Sequence, residues 1–458
     1  MKRVAFLSFD WDYKIISEYY FGLQERLATH RDVQLVIFNA FERYYSSLRP
    51  KESSFQVLSL CDLEKYDGFL IQGNRSWPPA LRQRVVEDAV ALGKPVVSIN
   101  YDLAGAHTVG TDNYQAEYDL IERVLSDHGC HKPAFVNGLR TSGEAQARAQ
   151  AFRDACEHHG VKDVRFYQAN WQKEAGIATA DKLLRHPHDL PDVVFCCNDD
   201  LALGVQETLL AAGVRVPEDV MVTGFDNRVI SREATPRITT IDRDYRTIAA
   251  TALDTILDLL DGADLPASVA SPVRYILSES CGYATVDEHD ASDDSLEGFY
   301  TALMEFQSAA FDADSLYAVL ECCERFLPRL GCANAYVSLN SLYRDAHDTR
   351  KANVYGPTSC LVAKSGQAVH LACDNDHVYA PYATKELLPS VTHLDGSLYL
   401  VSPLRHGETC IGTLITDGVP LVERHGLLAF FLGILSGSID IVKKTKLLRE
   451  AQALRSAE

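Results

Sequence analysis

At 458 residues, the chain exceeds the ~250–300 residues at which one hydrophobic core stops growing, so more than one domain is expected. Hydrophobic residues make up 47% and charged residues 23%, as in an ordinary globular protein. The net charge of -19 argues against a nucleic-acid surface, which needs a basic stripe.

The N-terminal apolar run in "MKRVAFLSFDWDY" ends at Asp10. It is shorter than the ~7–15 apolar residues of a signal peptide and reads as a first strand. No segment reaches the ~18 consecutive apolar residues of a membrane span. The twelve cysteines lack zinc spacing, and His128, Cys130 and His131 fall in a helix-to-strand turn, so neither a metal nor a cofactor is expected. Together these features predict a cytoplasmic protein with reduced thiols.

From residue 3 to about 280, short β-rich runs alternate with amphipathic helical stretches. Strands are predicted at 4–9, 33–39, 68–72, 95–100, 133–137, 164–168, 193–197 and 221–224, with helices such as 15–28, 114–126 and 146–158 between them. That rhythm describes βαβ units, and so parallel sheets with helices on both faces. The number of strands suits two sheets of modest size, hence two lobes. An acidic stretch, "VDEHDASDDS", cannot bury a face and reads as a linker over 284–295.

Beyond it, 296–442 reads as a smaller α+β domain. Two helical stretches open it, and in the second Leu316, Val319, Leu320, Cys323, Phe326 and Leu327 share one face. "AYVSL" reads as a strand. The segment 398–415 reads as a hairpin turning at His406, Gly407 and Glu408. The last helix carries Leu428, Leu432, Leu435, Ile439 and Val442 at spacings of three and four, then Leu447, Ala451 and Leu454. Over 443–458 it reads as a coiled-coil connector.

The stretch "PDVVFCCNDDLALGVQETLLAAGVRVPEDVMVTGFDN", followed by "TPRITTIDRDY", resembles the sensor domain of the LacI/GalR repressor family. "GTDNYQA" at 110–116 and "RAQAFRDA" at 148–155, where Ala151 stands for a usual glycine, support it. The resemblance covers about 3–280 and implies a type I periplasmic-binding-protein fold over 1–283. Such a fold has two α/β lobes joined by three crossings, here near 100–104, 235–239 and 264–271, that close on a ligand in the interlobe cleft. The part at 296–442, on its hairpin and flanking helices, is similar to a GAF domain.

By the LacI/GalR resemblance, Asn198 and Asp226 line the cleft as acceptors, and Arg148 supplies a guanidinium fork that can hold two oxygens. Asn100, Tyr101 and Tyr13 take first-lobe positions, and Arg243 comes from the segment returning to that lobe. Fixed acceptors, a fork and aromatic rings suit a small polar ligand such as a sugar. Ile15 and Ile16 replace an aromatic pair common in the family, Asn100 replaces aspartate and Arg243 replaces glutamine. The last two changes favour an acidic ligand, unless Arg243 merely pairs with Asp242 or Asp244 on the surface. Asp199 and Asp200 read as N-cap and first-turn acids, Asp112 and Asn113 as helix-preceding residues, and His158 and His159 as a solvated helix end.

The family's repressors begin with a helix-turn-helix, which is not seen here, nor is a C-terminal AraC-type or GGDEF output domain. The chain also lacks a GxxxxGK[ST] loop, a glycine-containing first βα turn and a GxSxG elbow, so no enzyme is expected. A dimeric sensor relaying ligand closure to an output domain is the first reading, with no direct DNA contact and no membrane. A non-catalytic binding or scaffold protein working through a separate partner is the other.

Overall fold

The computed structural model describes all residues except 9–12, 42–51, 73–76, 285–293, 333, 350–351, 366–380, 389–396 and 458. Most of the expected acidic linker therefore lies outside the described residues. The chain divides into two compact units. Unit 1 comprises Met1–Val109, Tyr245–Val269 and Ser292–Glu458, and unit 2 comprises Gly110–Asp244 and Ala270–Ala291.

Unit 1 opens with β1 (Lys2–Ser8), α1 (Tyr13–Leu27), β2 (Val33–Asn39), β3 (Gly68–Gln72), α2 (Pro79–Ala91), β4 (Val96–Ile99) and β5 (His107–Thr111). Unit 2 holds α3 (Asn113–His128), β6 (Pro133–Asn137), α4 (Gly143–His158), β7 (Arg165–Gln168), α5 (Lys173–Leu184) and β8 (Val193–Cys196). It continues with α6 (Asp199–Ala211), β9 (Met221–Thr223), α7 (Val229–Glu233) and β10 (Thr240–Asp242). The chain then gives α8 (Tyr245–Leu260) and β11 (Ser268–Ser271), followed by β12 (Arg274–Ile276) in unit 2. The remainder of unit 1 is α9 (Asp294–Asp312), α10 (Leu316–Phe326), β13 (Ala335–Asn340), α11 (Ser341–Arg344), β14 (Thr358–Ser365), β15 (Tyr382–Ala383), β16 (Leu398–His406), β17 (Thr409–Asp417) and α12 (Leu428–Ala457).

In unit 2, β7, β6, β8 and β9 form a four-stranded, all-parallel sheet. Helices bury their apolar stripes against it, and α3, for example, turns Leu120, Ile121, Val124 and Leu125 inward. Helices α5 and α6 meet through paired glycines. A Cβ on Gly176 would lie 2.3 Å from the Leu201 carbonyl oxygen, and one on Gly204 would lie 2.3 Å from the Lys173 carbonyl oxygen.

In unit 1 the sheet does not end with the first lobe. Strand β2 pairs with β1 on one side and, in parallel, with β16 on the other, with Leu35 opposite Leu398 and Phe38 opposite Val401. The result is one sheet of eleven strands in the order β11-β5-β4-β3-β1-β2-β16-β17-β13-β14-β15. Alternation along these strands builds a core on each face, because successive side chains point to opposite sides. Val4, Phe6, Leu35, Ile37, Leu398 and Leu400 face a core shared with α1, α8, α9, α10 and α12. Ala5, Leu7, Val36, Phe38, Tyr399 and Val401 face another, covered by the 3-10 segment Glu52–Leu60 and α2. The first lobe and the following part thus share their sheet and both cores. The hairpin expected at 398–415 is present as β16 and β17, turning at Gly407 with φ of 61°.

The chain changes unit at 109/110, 244/245 and 269/270. The first change falls within β5 and the second just after β10, so both come later than the expected crossings at 100–104 and 235–239.

Candidate functional site

The polar residues singled out in unit 2 gather at the carboxyl end of its sheet, where strands hand over to helices and ligands of open α/β sheets sit. Helix α4 carries Arg148 there, only 1% exposed. Its Nε and Nη2 donate to Asn113 Oδ1 at 3.0 and 2.7 Å, its Nη1 donates to the Cys197 carbonyl, and its guanidinium carbon lies 3.4 Å from the Phe225 ring centre. The fork is therefore held flat by an aromatic face while an amide oxygen and a strand-end carbonyl fix its in-plane orientation.

Just past β9, Asp226 adopts φ of 105° and anchors itself by donating its backbone N–H to Ile241 O at 2.8 Å. A non-glycine residue held in that region is strained, and such strain clusters at functional sites. Its carboxylate lies 3.6 Å from Arg243 Nη1. Arg243 is itself buried, donating from Nη2 to Glu144 Oε1 at 2.7 Å and from Nε to Thr111 Oγ1 at 3.1 Å. Arg243 is thus a member of the cluster and not a surface partner of Asp242 or Asp244. Two guanidiniums, Arg148 and Arg243, stand with two carboxylates, Glu144 and Asp226. Burial raises the Asp226 carboxyl, against the pull of Arg148 and Arg243.

Asn198 is the N-cap of α6, its Oδ1 accepting from Leu201 N at 3.0 Å and its Nδ2 donating to the Trp171 carbonyl at 3.0 Å. That corrects the assignment of the cap to Asp199. Asp199 is wholly buried, accepting from Thr240 Oγ1 and from Arg228 N, each at 2.6 Å, and burial, with Asp226 nearby, lifts it to about 7. Glu117, on α3, is a second buried acid that sequence reasoning missed. Its Oε2 makes no hydrogen bond, and burial lifts its carboxyl to about 8 against the pull of Arg148. Nothing in the helical pattern separates this glutamate from exposed ones, so only packing reveals it.

Trp171 was also missed. Its ring lies over Gly138, where any Cβ would fall 2.5 Å from ring atoms, and its carbonyl holds Asn198. The sequence offers only a hint, a glycine directly after β6 and an aromatic in the loop after β7.

The remaining expected residues belong to unit 1. Asn100 follows β4 with φ of 58°, and its Nδ2 donates to Tyr19 Oη at 2.6 Å. Tyr101 is half-buried beneath the Arg82 guanidinium, 4.5 Å from its ring centre. Tyr13 opens α1, and its side chain lies outside the described residues. Ile16 is core. In unit 2, Asp112 caps α3, accepting from Gln115 N at 2.9 Å. His158 is exposed, and His159 is half-buried with its Nε2 3.1 Å from Glu122. His128 abuts the Tyr283 ring at 5.2 Å, as a structural turn residue would.

Residues 123–281 match the family described as periplasmic binding protein-like domain. Among curated relatives, the probable HTH-type transcriptional repressor ExuR of Bacillus subtilis is 26% identical over 200 residues, covering 43% of this chain and 58% of that protein. The HTH-type transcriptional repressor PurR of Vibrio vulnificus is 30% identical over 149 residues, covering 32% and 44%. The HTH-type transcriptional regulator AscG of Escherichia coli is 25% identical over 193 residues, covering 41% and 57%. The chain spans about half the length of the curated relatives it matches. Among solved structures, a LacI-family sugar-binding transcriptional regulator from Escherichia coli, complexed with phosphate, aligns with a TM-score of 0.49 at 21% identity, covering 61% of this chain and 97% of that one. Residues 123–281 thus resemble a periplasmic-binding-protein-like domain, and the matched stretch is similar to parts of HTH-type transcriptional regulators. No described helix is long and apolar enough to cross a membrane.

Proposed function

We propose that this chain is a non-catalytic, ligand-responsive regulator whose unit 2 binds a small, neutral, polyhydroxylated ligand at the face built by Arg148, Asn198, Asp226 and Arg243. The observation that carries the ligand class is charge pairing. Arg243 meets Glu144 at 2.7 Å and Asp226 at 3.6 Å, so the second arginine, which by itself would invite an anion, is already balanced. An acidic ligand would have to displace a carboxylate, whereas hydroxyl groups can donate to Asp226 and accept from a guanidinium without upsetting that balance. Trp171, whose carbonyl holds Asn198 and whose ring lies over Gly138 at the end of β6, is the aromatic residue in this proposal that would stack on the apolar face of a sugar ring. The names of the relatives, repressors and a sugar-binding regulator, agree with this reading. In the same proposal, the part at 296–442, which resembles a GAF domain in sequence, and α12 carry the response to an output.

The test is a thermal-shift and calorimetric screen of the full chain against neutral sugars, sugar acids, sugar phosphates and nucleobases, with Asp226→Ala in parallel. A ligand at ~100 times its dissociation constant adds about 2.7 kcal/mol to stability, which moves the melting point by several degrees. A neutral sugar that shifts the wild type and not Asp226→Ala is the expected result. A sugar acid or phosphate binding more tightly than its neutral counterpart would overturn the ligand class. No hit among any of the four classes would overturn the sensor reading itself.

A further inference from the structure

Helix α1 lies between the start of α8 and the segment that leads into α12. The chain returns to unit 1 at 244/245, directly after Asp244, whose φ is 48°. The first two residues past that return grip one flank of α1. Tyr245 sets its ring edge-on against Tyr19, with the centres 5.5 Å apart. Arg246 donates to Glu18 and, at 2.9 Å, to Glu25 Oε1, and its carbonyl oxygen would lie 2.5 Å from a Cβ on Gly22. One turn farther on, Arg26 pairs with Asp254 of α8 at 2.7 Å. Asn100 bears on the same flank through its bond to Tyr19 Oη.

The other flank of α1 meets the segment after β17. Gln24 Oε1 accepts the Val419 N–H at 2.9 Å, and Arg424, in the 3-10 segment Leu421–His425, places its guanidinium 5.0 Å from the Phe21 ring centre. Only Gly426 and Leu427 separate that 3-10 segment from α12. At 3.6 residues per turn, Glu18, Tyr19, Gly22 and Arg26 fall on one side of α1 and Phe21 and Gln24 on the other, with the buried line Ile16, Tyr20, Leu23 and Leu27 between them. The buried Phe21 ring has a guanidinium from each neighbour, since Arg246 lies 6.0 Å from its centre. Either grip alone is ordinary helix packing. Together they set one helix between an interlobe return of the chain and the entry to its last helix.

We propose that α1 is the relay through which a change of backbone angle at 244/245 reaches α12, with Phe21 and Gln24 as its joint to the 418–425 segment. The proposal rests on the reading of the chain as a ligand-responsive regulator, because residues at element ends are the ones that absorb the angle change when such a domain closes. Close-packed interiors shift as units and do not deform smoothly. A helix held by ion pairs and a close backbone approach on one flank therefore moves whole, and carries with it what is bonded to the other flank. The pairing of β2 with β16 joins the same two parts, but it lies inside a sheet with a core on each face and is the fixed frame against which α1 shifts. The joint itself consists of one hydrogen bond and one cation–ring contact, so single substitutions can cut it.

The experiment is amide hydrogen exchange of the full chain without ligand, with each variant compared with its own background. Tyr245→Ala loosens the grip at the return. It should speed exchange at 419–432 by roughly three- to tenfold and leave α2, which packs on the opposite face of the sheet, unchanged. In a Phe21→Leu background, which keeps an apolar side chain and removes the ring, Tyr245→Ala should leave 419–432 unaltered. Arg424 is exposed, so Arg424→Gln cuts the joint from its other side without disturbing the core and decides the matter if Phe21→Leu misfolds. An effect of Tyr245→Ala confined to α1 and α8, an equal effect in α2, or an effect at 419–432 that survives both joint variants would overturn the proposal. No ligand enters this measurement and the thermal-shift screen does not depend on the joint, so failure of the relay and failure of the sensor reading are told apart.

Discussion

Glu117 makes a quantitative prediction possible. Its carboxyl is lifted to about 8 by burial, from an ordinary value of 4.5. Between those values the folded state holds a proton that the unfolded chain releases, so stability falls as pH rises from 4.5 toward 8 and levels off above. Integrated from about pH 5 to pH 8.5, the linkage costs roughly 4 kcal/mol, most of it accumulated before pH 8. The groups that act on this carboxyl are Arg148, which favours its charge, and Asp226, which opposes it. Glu117→Gln keeps the shape and removes the titration. Denaturant unfolding of wild type and variant, measured from pH 5 to pH 9, should therefore give similar stabilities at the acid end and a progressively more stable variant toward the alkaline end. Parallel curves for the two proteins would refute the reasoning, because they would mean that Glu117 carries its charge in the folded state at an ordinary pH.

Arg148→Lys should abolish ligand binding and destabilise the chain by roughly 3–5 kcal/mol, since one ammonium cannot satisfy both Asn113 Oδ1 and the Cys197 carbonyl; calorimetry and denaturant melts check both. Trp171→Ala should weaken binding of a neutral sugar by roughly tenfold while leaving α6 capped, because Asn198 is held there through the Trp171 backbone and not its ring. Titration of the variant with whichever ligand the screen identifies decides it. Gly176→Ala should lower stability by roughly 1–3 kcal/mol, because its Cβ would press on the Leu201 carbonyl at 2.3 Å, and a melting curve unchanged from wild type would contradict the close packing of α5 on α6.

The sequence made the central strands of both sheets legible, and 33–39, 68–72 and 133–137 are observed with the expected limits. These are dense apolar runs bounded by polar or turn residues, so local pattern suffices. Strand β5, "HTVGT", and the three-residue strands β10 and β12 carry too few apolar residues to stand out. The pairing of β2 with β16 is invisible for another reason. Nothing local encodes the register between strands so far apart, and a run buried on both faces looks the same whichever strand lies beside it. At the candidate site, Arg148, Asn198, Asp226 and Arg243 were singled out by resemblance, but their hydrogen-bond and ion-pair partners could not be read from the sequence. In "NDD" any of three side chains could serve as the cap, and only tertiary packing sets Asn198 at the helix end and buries Asp199.

The seam between β2 and β16 bears on how this protein can be cut. Residue 283 looks like a natural place to trim away everything that follows, yet all seven residues of β2 are buried. Truncation there would bare the β2 backbone along the side where β16 now lies, a flat apolar edge without the charges or prolines that keep such edges from pairing with other chains. A trimmed protein would therefore be prone to self-association through an artificial strand contact, and its oligomeric state would say nothing about the native one. Circular permutation or loop insertion at the surface turn around Gly407, which leaves both strands in place, is the safer way to probe or label the molecule.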